Sequence, residues 1–290
     1  MALYTRRRFL QTSAAVSAYA LMATRQGLAS PFGLPLGLQL YSVRQELPKD
    51  YAGTLKKLGA LGYRQVEAAG FYGHSAGDVK QAMADAGLRC VSAHYSSDVL
   101  SKTLDDILEF HKTLGAEYIV CSYPGHKNPP APGAEHTFSL DDWKWNAEQF
   151  NTWGKKVKAA GFRFGYHNHT PEFVAVDGVT PYDELMKLTD PALVTFEMDC
   201  GWVVVGGGDP VALLKKYSNR ISMLHVKDFQ PGVTPPHAAQ LGHGRIDYKP
   251  IFAAAKKGEI KHYFVEQEEF DIPWQEALKI DADYLRAIKS

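Results

Sequence analysis

Four short segments in the second half of the chain end in imidazole and carboxylate side chains. His167-Asn168-His169, Glu197-Met198-Asp199, His225-Val226-Lys227 and Glu266-Gln267-Glu268 each close a run rich in Val, Leu, Ile, Phe or Tyr. If these runs are strands, residues two apart share a side. His167 then faces the same way as His169, His225 as Lys227, and Glu266 as Glu268. Four successive strand ends thus offer His167, Asp199, His225 and Glu266 as a mixed nitrogen–oxygen ligand set for one divalent metal: Mn, Co, Fe, Zn or Mg. The alternative is a metal-free polar pocket in which the same groups bind a ligand by hydrogen bonds. Earlier strand ends carry Gln39 and Tyr41, Glu67, and His94. Tyr41, Glu67 and His94 are candidate substrate-binding residues, joined by Glu268. Trp202, just after Asp199, could form an apolar wall for a sugar ring, or simply pack in the core.

These residues need a frame that brings their strand ends together. From residue 36 onward, apolar runs alternate with amphipathic ones. Strands are expected over 36–41, 63–67, 88–94, 117–122, 162–167, 193–199, 221–227 and 262–267. Helices are expected over 50–61, 76–86, 98–114, 139–160, 182–188, 210–217, 248–257 and 274–288, several of them stopped by Gly87, Gly115 or Gly161. Repeated strand-then-helix units imply parallel strands with helical crossovers. The economical closure is a single (β/α)8 TIM barrel over 34–290; an open doubly wound sheet is the alternative. No Gly-x-Gly-x-x-Gly opens the first helix, which weakens a dinucleotide-binding reading. Two loops after strands are long. One, 123–138, holds His126 and His136; the other, 228–246, holds His237 and His243. Both belong at the mouth, where barrel enzymes keep their chemistry.

Composition narrows the function. The chain has 290 residues, 45% of them hydrophobic, with Lys+Arg and Asp+Glu both at 32. That balance lacks the basic surplus of a nucleic-acid binder. No apolar run reaches the length of a membrane span. Three cysteines, Cys90, Cys121 and Cys200, give neither a disulfide framework nor ligand spacing, and are expected as buried free thiols. Residues 1–30 read as a secretory signal, with a basic start, an Ala-rich middle and small residues at the end. Thr5-Arg6-Arg7-Arg8-Phe9-Leu10 resembles a twin-arginine signal. That resemblance implies use of the twin-arginine export machinery, a periplasmic or otherwise exported location, and metal loading before export.

The strand-end blocks are familiar as a set. Phe164-Gly165-Tyr166-His167-Asn168-His169-Thr170-Pro171-Glu172-Phe173, Phe196-Glu197-Met198-Asp199-Cys200-Gly201-Trp202, Leu224-His225-Val226-Lys227-Asp228 and Phe264-Val265-Glu266-Gln267-Glu268 resemble the sugar phosphate isomerase/epimerase family. That family has a xylose isomerase-like barrel. The resemblance runs over nearly the whole chain after residue 30, and Gly242-His243-Gly244-Arg245-Ile246-Asp247 adds a further likeness. It implies one divalent metal held by strands five to eight, with Asp199, His225 and Glu266 matching the last three positions. His167 departs from the pattern, because most family isomerases and epimerases carry Glu there. Their paired glutamates move a proton on opposite faces of an enediolate, and that pairing is lost here.

The family chemistry is proton abstraction beside the carbonyl of a keto-sugar, with Glu266 able to serve both metal and proton transfer. The expected activity is that of a metal-dependent sugar isomerase or epimerase. The His substitution also resembles barrels that eliminate or hydrate, so a lyase or hydratase on 3-keto-glycosides or inosose-like keto-sugars stands beside it. His169 or Lys227 would then be the base. A sugar-binding barrel without turnover and an endonuclease-like barrel are the remaining readings. The partner expected is a small-molecule sugar, not nucleic acid; self-association into a homo-oligomer is left open.

Overall fold

The computed structural model of the chain describes residues 31–129, 137–255 and 260–288; the signal segment and His136 lie outside them. Eight parallel strands close into one barrel. They are β1 (Gly37–Gln39), β2 (Gln65–Ala68), β3 (Arg89–Ser96), β4 (Tyr118–Tyr123), β5 (Arg163–His167), β6 (Val194–Asp199), β7 (Ile221–Val226) and β8 (His262–Val265). β1 pairs with both β2 and β8, and this closure excludes the open sheet. The enclosing helices are α1 (Tyr51–Leu61), α2 (Ala76–Asp85), α3 (Ser97–Leu114), α4 (Leu140–Ala159), α5 (Pro181–Leu188), α6 (Cys200–Val205), α7 (Pro210–Lys216), α8 (Tyr248–Ala255) and α9 (Trp274–Ala287).

Local rules explain the outer ring. α3 turns Leu100, Leu104, Ile107, Leu108 and Leu114 inward at helical spacing and stops at Gly115, whose φ of 82° needs a residue without a Cβ. α4 opens on a capping box between Ser139 and Asp142. α5 and α7 begin with a proline in the first turn. All three cysteines are buried and free. Among the described residues no helix is long and apolar enough to cross a membrane.

Three strands end before their hydrophobic runs do. The apolar run 36–41 predicts one strand, but the strand ends at Gln39, because the Gln39 side chain accepts from Tyr41 N at 3.0 Å and turns the chain into a 3-10 turn, Leu40–Val43. Lys227 N bonds the Tyr248 hydroxyl (2.7 Å), and Gln267 N bonds Ser42 Oγ (3.1 Å), so both leave the ladder. Helix α6 is not announced by periodicity; it exists because the Asp199 carboxylate accepts from Trp202 N at 2.8 Å. The long loop after β7 contains a two-residue antiparallel ribbon, Asp228–Phe229 against Ala238–Ala239.

That loop is fastened by two carboxylates. Asp228 gathers the N–H groups of Phe229, Gly242, Gly244 and Ile246. Asp281, on α9, accepts from Leu241 N at 2.7 Å. Burial pushes the Asp281 carboxyl up to about 7. The folded chain therefore keeps a proton that the unfolded chain releases near pH 4. This contribution to stability is full below about pH 4 and declines until about pH 7. Asp281→Asn keeps the acceptor for Leu241 and removes the titration. It should therefore escape that decline and gain on the order of 2–4 kcal/mol over the wild type at pH 8 relative to pH 4. Urea midpoints measured from pH 4 to 8 check this; parallel profiles for the two proteins would refute it.

Candidate functional site

The barrel interior is layered. Val91, Tyr118, Val120, Met223 and Phe264 form a buried apolar floor separate from the main core. Strand alternation places His225 above Met223, and Glu266 above Phe264, toward the mouth. The register aligns Asp199 with His225 across β6 and β7, and His167 with Glu197 across β5 and β6. The next layer is therefore ionic where barrels usually carry branched aliphatics. Gln39, Glu67, His94, Glu197, Asp199, His225 and Lys227 are nearly or wholly buried in it, or at its upper edge.

His167, Asp199, His225 and Glu266 bring one donor atom each within 4.8 Å of one another. His225 Nδ1 lies 3.0 Å from Glu266 Oε2 and 3.8 Å from Asp199 Oδ2. His167 Nε2 lies 3.9 Å from Asp199 Oδ2. Ligands about 2.1 Å from a common metal at tetrahedral angles are about 3.4 Å apart, so edges of this size fit a metal cage. Asp199 Oδ2 is buried without a hydrogen-bond partner. An ionised carboxylate oxygen left so is costly, and a divalent cation relieves it. The donor set is a borderline nitrogen–oxygen one, consistent with Zn, Mn, Fe, Co or Mg.

Above the cage, Lys227 is buried with its Nζ 2.5 Å from Glu268, 2.9 Å from Glu266 and 3.4 Å from Asp199. Burial opposes its charge, but these three carboxylates hold its pKa well above the ordinary lysine value. It is thus a fixed cation, and its Nζ also sits 4.7 Å from the Trp202 ring. Gly201 permits this packing, since a Cβ there would stand 2.8 Å from Lys227 Cγ. His169 is the opposite case. Burial and the Lys227 charge push its pKa down to about 3, so it is a neutral imidazole. Its backbone N–H is tied to the Glu172 carboxylate (3.0 Å), whose other oxygen receives the Tyr166 hydroxyl. Burial pushes that carboxyl up to about 7.

The mouth opens as a cavity of about 370 Å³ lined by Tyr41, His94, Tyr123, His167, His169, Glu266 and Glu268 among others. That volume suits a ring-sized polar ligand. A cavity of about 440 Å³ at the opposite end carries Lys158, Arg163 and Lys261 but no acid or imidazole, and so no acid–base pair. Tyr41 stands on the rim with the Arg44 guanidinium 4.2 Å from its ring centre. Trp202 packs between Phe229 and His169, at centroid distances of 5.0 and 6.0 Å.

His94 lines the mouth cavity, whereas Glu67 lies beneath it. Glu67 is fully buried and bonds Gln39 and His225, both at 2.7 Å. His94 places Nε2 2.7 Å from both Glu67 and Glu197. Burial alone would lower its pKa, but these two carboxylates raise it to about 9. The loop histidines stand apart: His126 stacks on Phe138, and His237 pairs with Glu269 and Asp271. Glu197 has no role in the strand-end pattern, although it lies in one of its blocks. The same two-residue spacing that pairs His225 with Lys227 pairs it with Asp199.

The comparisons with known proteins agree with this architecture. The family described as xylose isomerase-like TIM barrel matches residues 55–288. The chain belongs to this family. A solved sugar phosphate isomerase/epimerase from Parabacteroides distasonis is 31% identical, covers 88% of this chain and 98% of its own, and superposes with a TM-score of 0.72. An inosose dehydratase from Clostridium beijerinckii is 27% identical over 245 residues, 75% of this chain and 82% of the relative. A xylose isomerase-like barrel from Mycobacterium smegmatis, solved in complex with magnesium, is 14% identical, covers 89% of this chain and 97% of its own, and superposes with a TM-score of 0.68; it shares the fold. The chain is thus an enzyme of the kind formed by sugar isomerases, epimerases and inosose dehydratases.

Proposed function

We propose that the protein is a metal-dependent lyase that removes water, or another β-leaving group, from a keto-sugar or keto-cyclitol. The observation that carries this reading is the position of His169, on the wall of the mouth cavity with its Nδ1 free of any hydrogen-bond partner, beside the buried Lys227 cation held by three carboxylates. β5 contributes His167 where a second proton-shuttling carboxylate would be needed for exchange between two faces. The inosose dehydratase relatives support elimination, and the isomerase/epimerase neighbour supports the second reading, proton return to a different carbon or face.

His167, Asp199, His225 and Glu266 would hold the metal. When bound, it supplies Lewis-acid polarisation of the substrate carbonyl. His169 takes the proton from the carbon beside that carbonyl, and the released electron pair moves toward the carbonyl oxygen. Lys227 faces the negative charge that develops, in a site with little water to screen it. The electron pair then returns, the β-carbon–oxygen bond breaks, and His169 gives its proton to the departing oxygen. Tyr41 and Glu268 border the cavity that would take the ring, and Glu268 also anchors Lys227.

The test is incubation of metal-loaded protein with inosose, 3-keto-glycosides and free ketoses in D₂O. Loss of water or release of an aglycone is expected. Deuterium in an unchanged skeleton would instead establish the isomerase or epimerase reading, and no exchange with any of these would overturn the enzyme assignment to keto-sugars. Export through the twin-arginine route is part of the proposal, supported by Arg6-Arg7-Arg8-Phe9-Leu10. Cell fractionation of the full chain checks it, and retention in the cytoplasm would count against it.

A further inference from the structure

His167 and His225 each turn their two ring nitrogens toward different groups. The mouth-side nitrogens, His167 Nε2 and His225 Nδ1, face Asp199 and Glu266. The floor-side nitrogens face another cluster. His225 Nε2 is 2.7 Å from Glu67 Oε1 and 3.3 Å from Glu197 Oε2. His167 Nδ1 is 3.1 Å from the same Glu197 oxygen. His94 adds its Nε2 at 2.7 Å from both carboxylates.

His94, His167, Glu197 and His225 would also pass as a ligand set by composition alone, since their donor atoms fall within 4.8 Å of one another. Distances separate the two clusters. Three of the lower contacts are 2.7 Å and the others 3.1 and 3.3 Å. These are hydrogen-bond lengths, shorter than the roughly 3.4 Å edge of a metal tetrahedron. In the upper cluster the His225 Nδ1–Glu266 Oε2 edge is 3.0 Å, and it is the two edges to Asp199 Oδ2 that open to 3.8 and 3.9 Å. The lower cluster is therefore a hydrogen-bonded floor beneath a metal cage.

We infer that Glu197, assisted by Glu67, is the positioning residue of this cage: it accepts the floor-side N–H of His167 and stands 3.3 Å from that of His225, which Glu67 accepts at 2.7 Å, and so keeps the mouth-side lone pairs free for the metal. An imidazole that ligates through one nitrogen needs an acceptor for the proton on the other, and such acceptors fix both tautomer and ring orientation. Glu197 reaches both rings with one oxygen, whereas Glu67 reaches only that of His225. Glu67 is itself held by the Gln39 side chain, which the first turn after β1 orients through Tyr41 N. His94, between the two acids, offsets their charge. This role is not one the strand-end pattern assigns, and it runs from the rim to the floor through Tyr41, Gln39, Glu67 and His225.

The inference rests on the metal reading of the upper cage and is independent of the substrate. Binding of Mn(II) and Co(II) to the full chain tests it. Glu197→Leu removes the shared acceptor and should weaken binding about 10–100-fold and alter the visible absorption of the Co(II) protein. Glu197→Gln, which retains an acceptor oxygen, should recover part of that loss, and Glu67→Leu should lose less than Glu197→Leu. Asp281→Asn, a buried change remote from the rings, should bind like the wild type. Should Glu197→Leu fail to fold, Glu197→Gln must still bind more weakly than Asp281→Asn. Wild-type affinity and an unchanged Co(II) spectrum in Glu197→Gln and Glu67→Leu would overturn the inference while leaving the cage intact. A wild-type protein that takes up neither metal would overturn both.

Discussion

Asp199→Ala should yield a folded barrel that no longer retains its metal and has lost at least about 10³-fold in kcat/KM. The size follows from losing several kcal/mol of charge stabilisation at the carbonyl, at one factor of ten per 1.36 kcal/mol. Asp199 holds two jobs. One oxygen caps α6 through Trp202 N, and the other is buried without a hydrogen-bond partner, 3.4 Å from Lys227 Nζ and aimed at the cage. The lost cap alone should cost about 1 kcal/mol of stability. Glu266→Gln separates the two effects, since Glu266 caps nothing and lies 3.0 Å from His225 Nδ1. Metal content by mass spectrometry, read beside activity, decides the matter. Full stoichiometric metal in Asp199→Ala would remove this residue from the ligand set.

The second large effect is expected at His169. His169→Gln should lower kcat by about 10²–10⁴-fold, the usual worth of a positioned general base. Its metal content should match the wild type, because the His169 ring is not among the cage donors. The same variant should no longer exchange the substrate hydrogen beside the carbonyl into D₂O. Loss of metal would recast His169 as a ligand; undiminished exchange would move the base elsewhere. Lys227 is the poorer candidate for that base, because three carboxylates hold its proton in place. Its fixed charge suits stabilisation of a developing oxyanion instead.

The barrel was legible because its signals are local and repeated. Short apolar runs alternate with longer amphipathic ones unit after unit, several helices stop at glycine, and closure into a barrel is the economical way to pair so many parallel strands. The strand-end pattern also exposed the mouth: His167, Asp199, His225 and Glu266 do converge, and so do Lys227 and Glu268. What misled was the length of the runs. Residues 36–41 read as one strand, but the Gln39 side chain captures Tyr41 N and bends the chain after Gln39. A side-chain-to-backbone bond leaves no trace in hydrophobic periodicity. Likewise α6 owes its start to a carboxylate that also faces the cage.

The division between sequence and structure is clearest at the acids. Alternation along each strand determines which residues face inward, so the chain alone specifies that Glu67, Glu197, Asp199 and Glu266 all do. Height within the barrel is another matter, since it depends on the stagger between neighbouring strands, including the irregularities between Val66 and Glu67 and between Phe196 and Glu197. Only the closed barrel decides that Asp199 Oδ2 stands 3.8 and 3.9 Å from the imidazoles, on the mouth side with Glu266, while Glu67 and Glu197 lie beneath them at hydrogen-bond distance. The inward pattern is a property of each strand by itself; the separation of cage from floor arises from the register of eight strands that must close on one another.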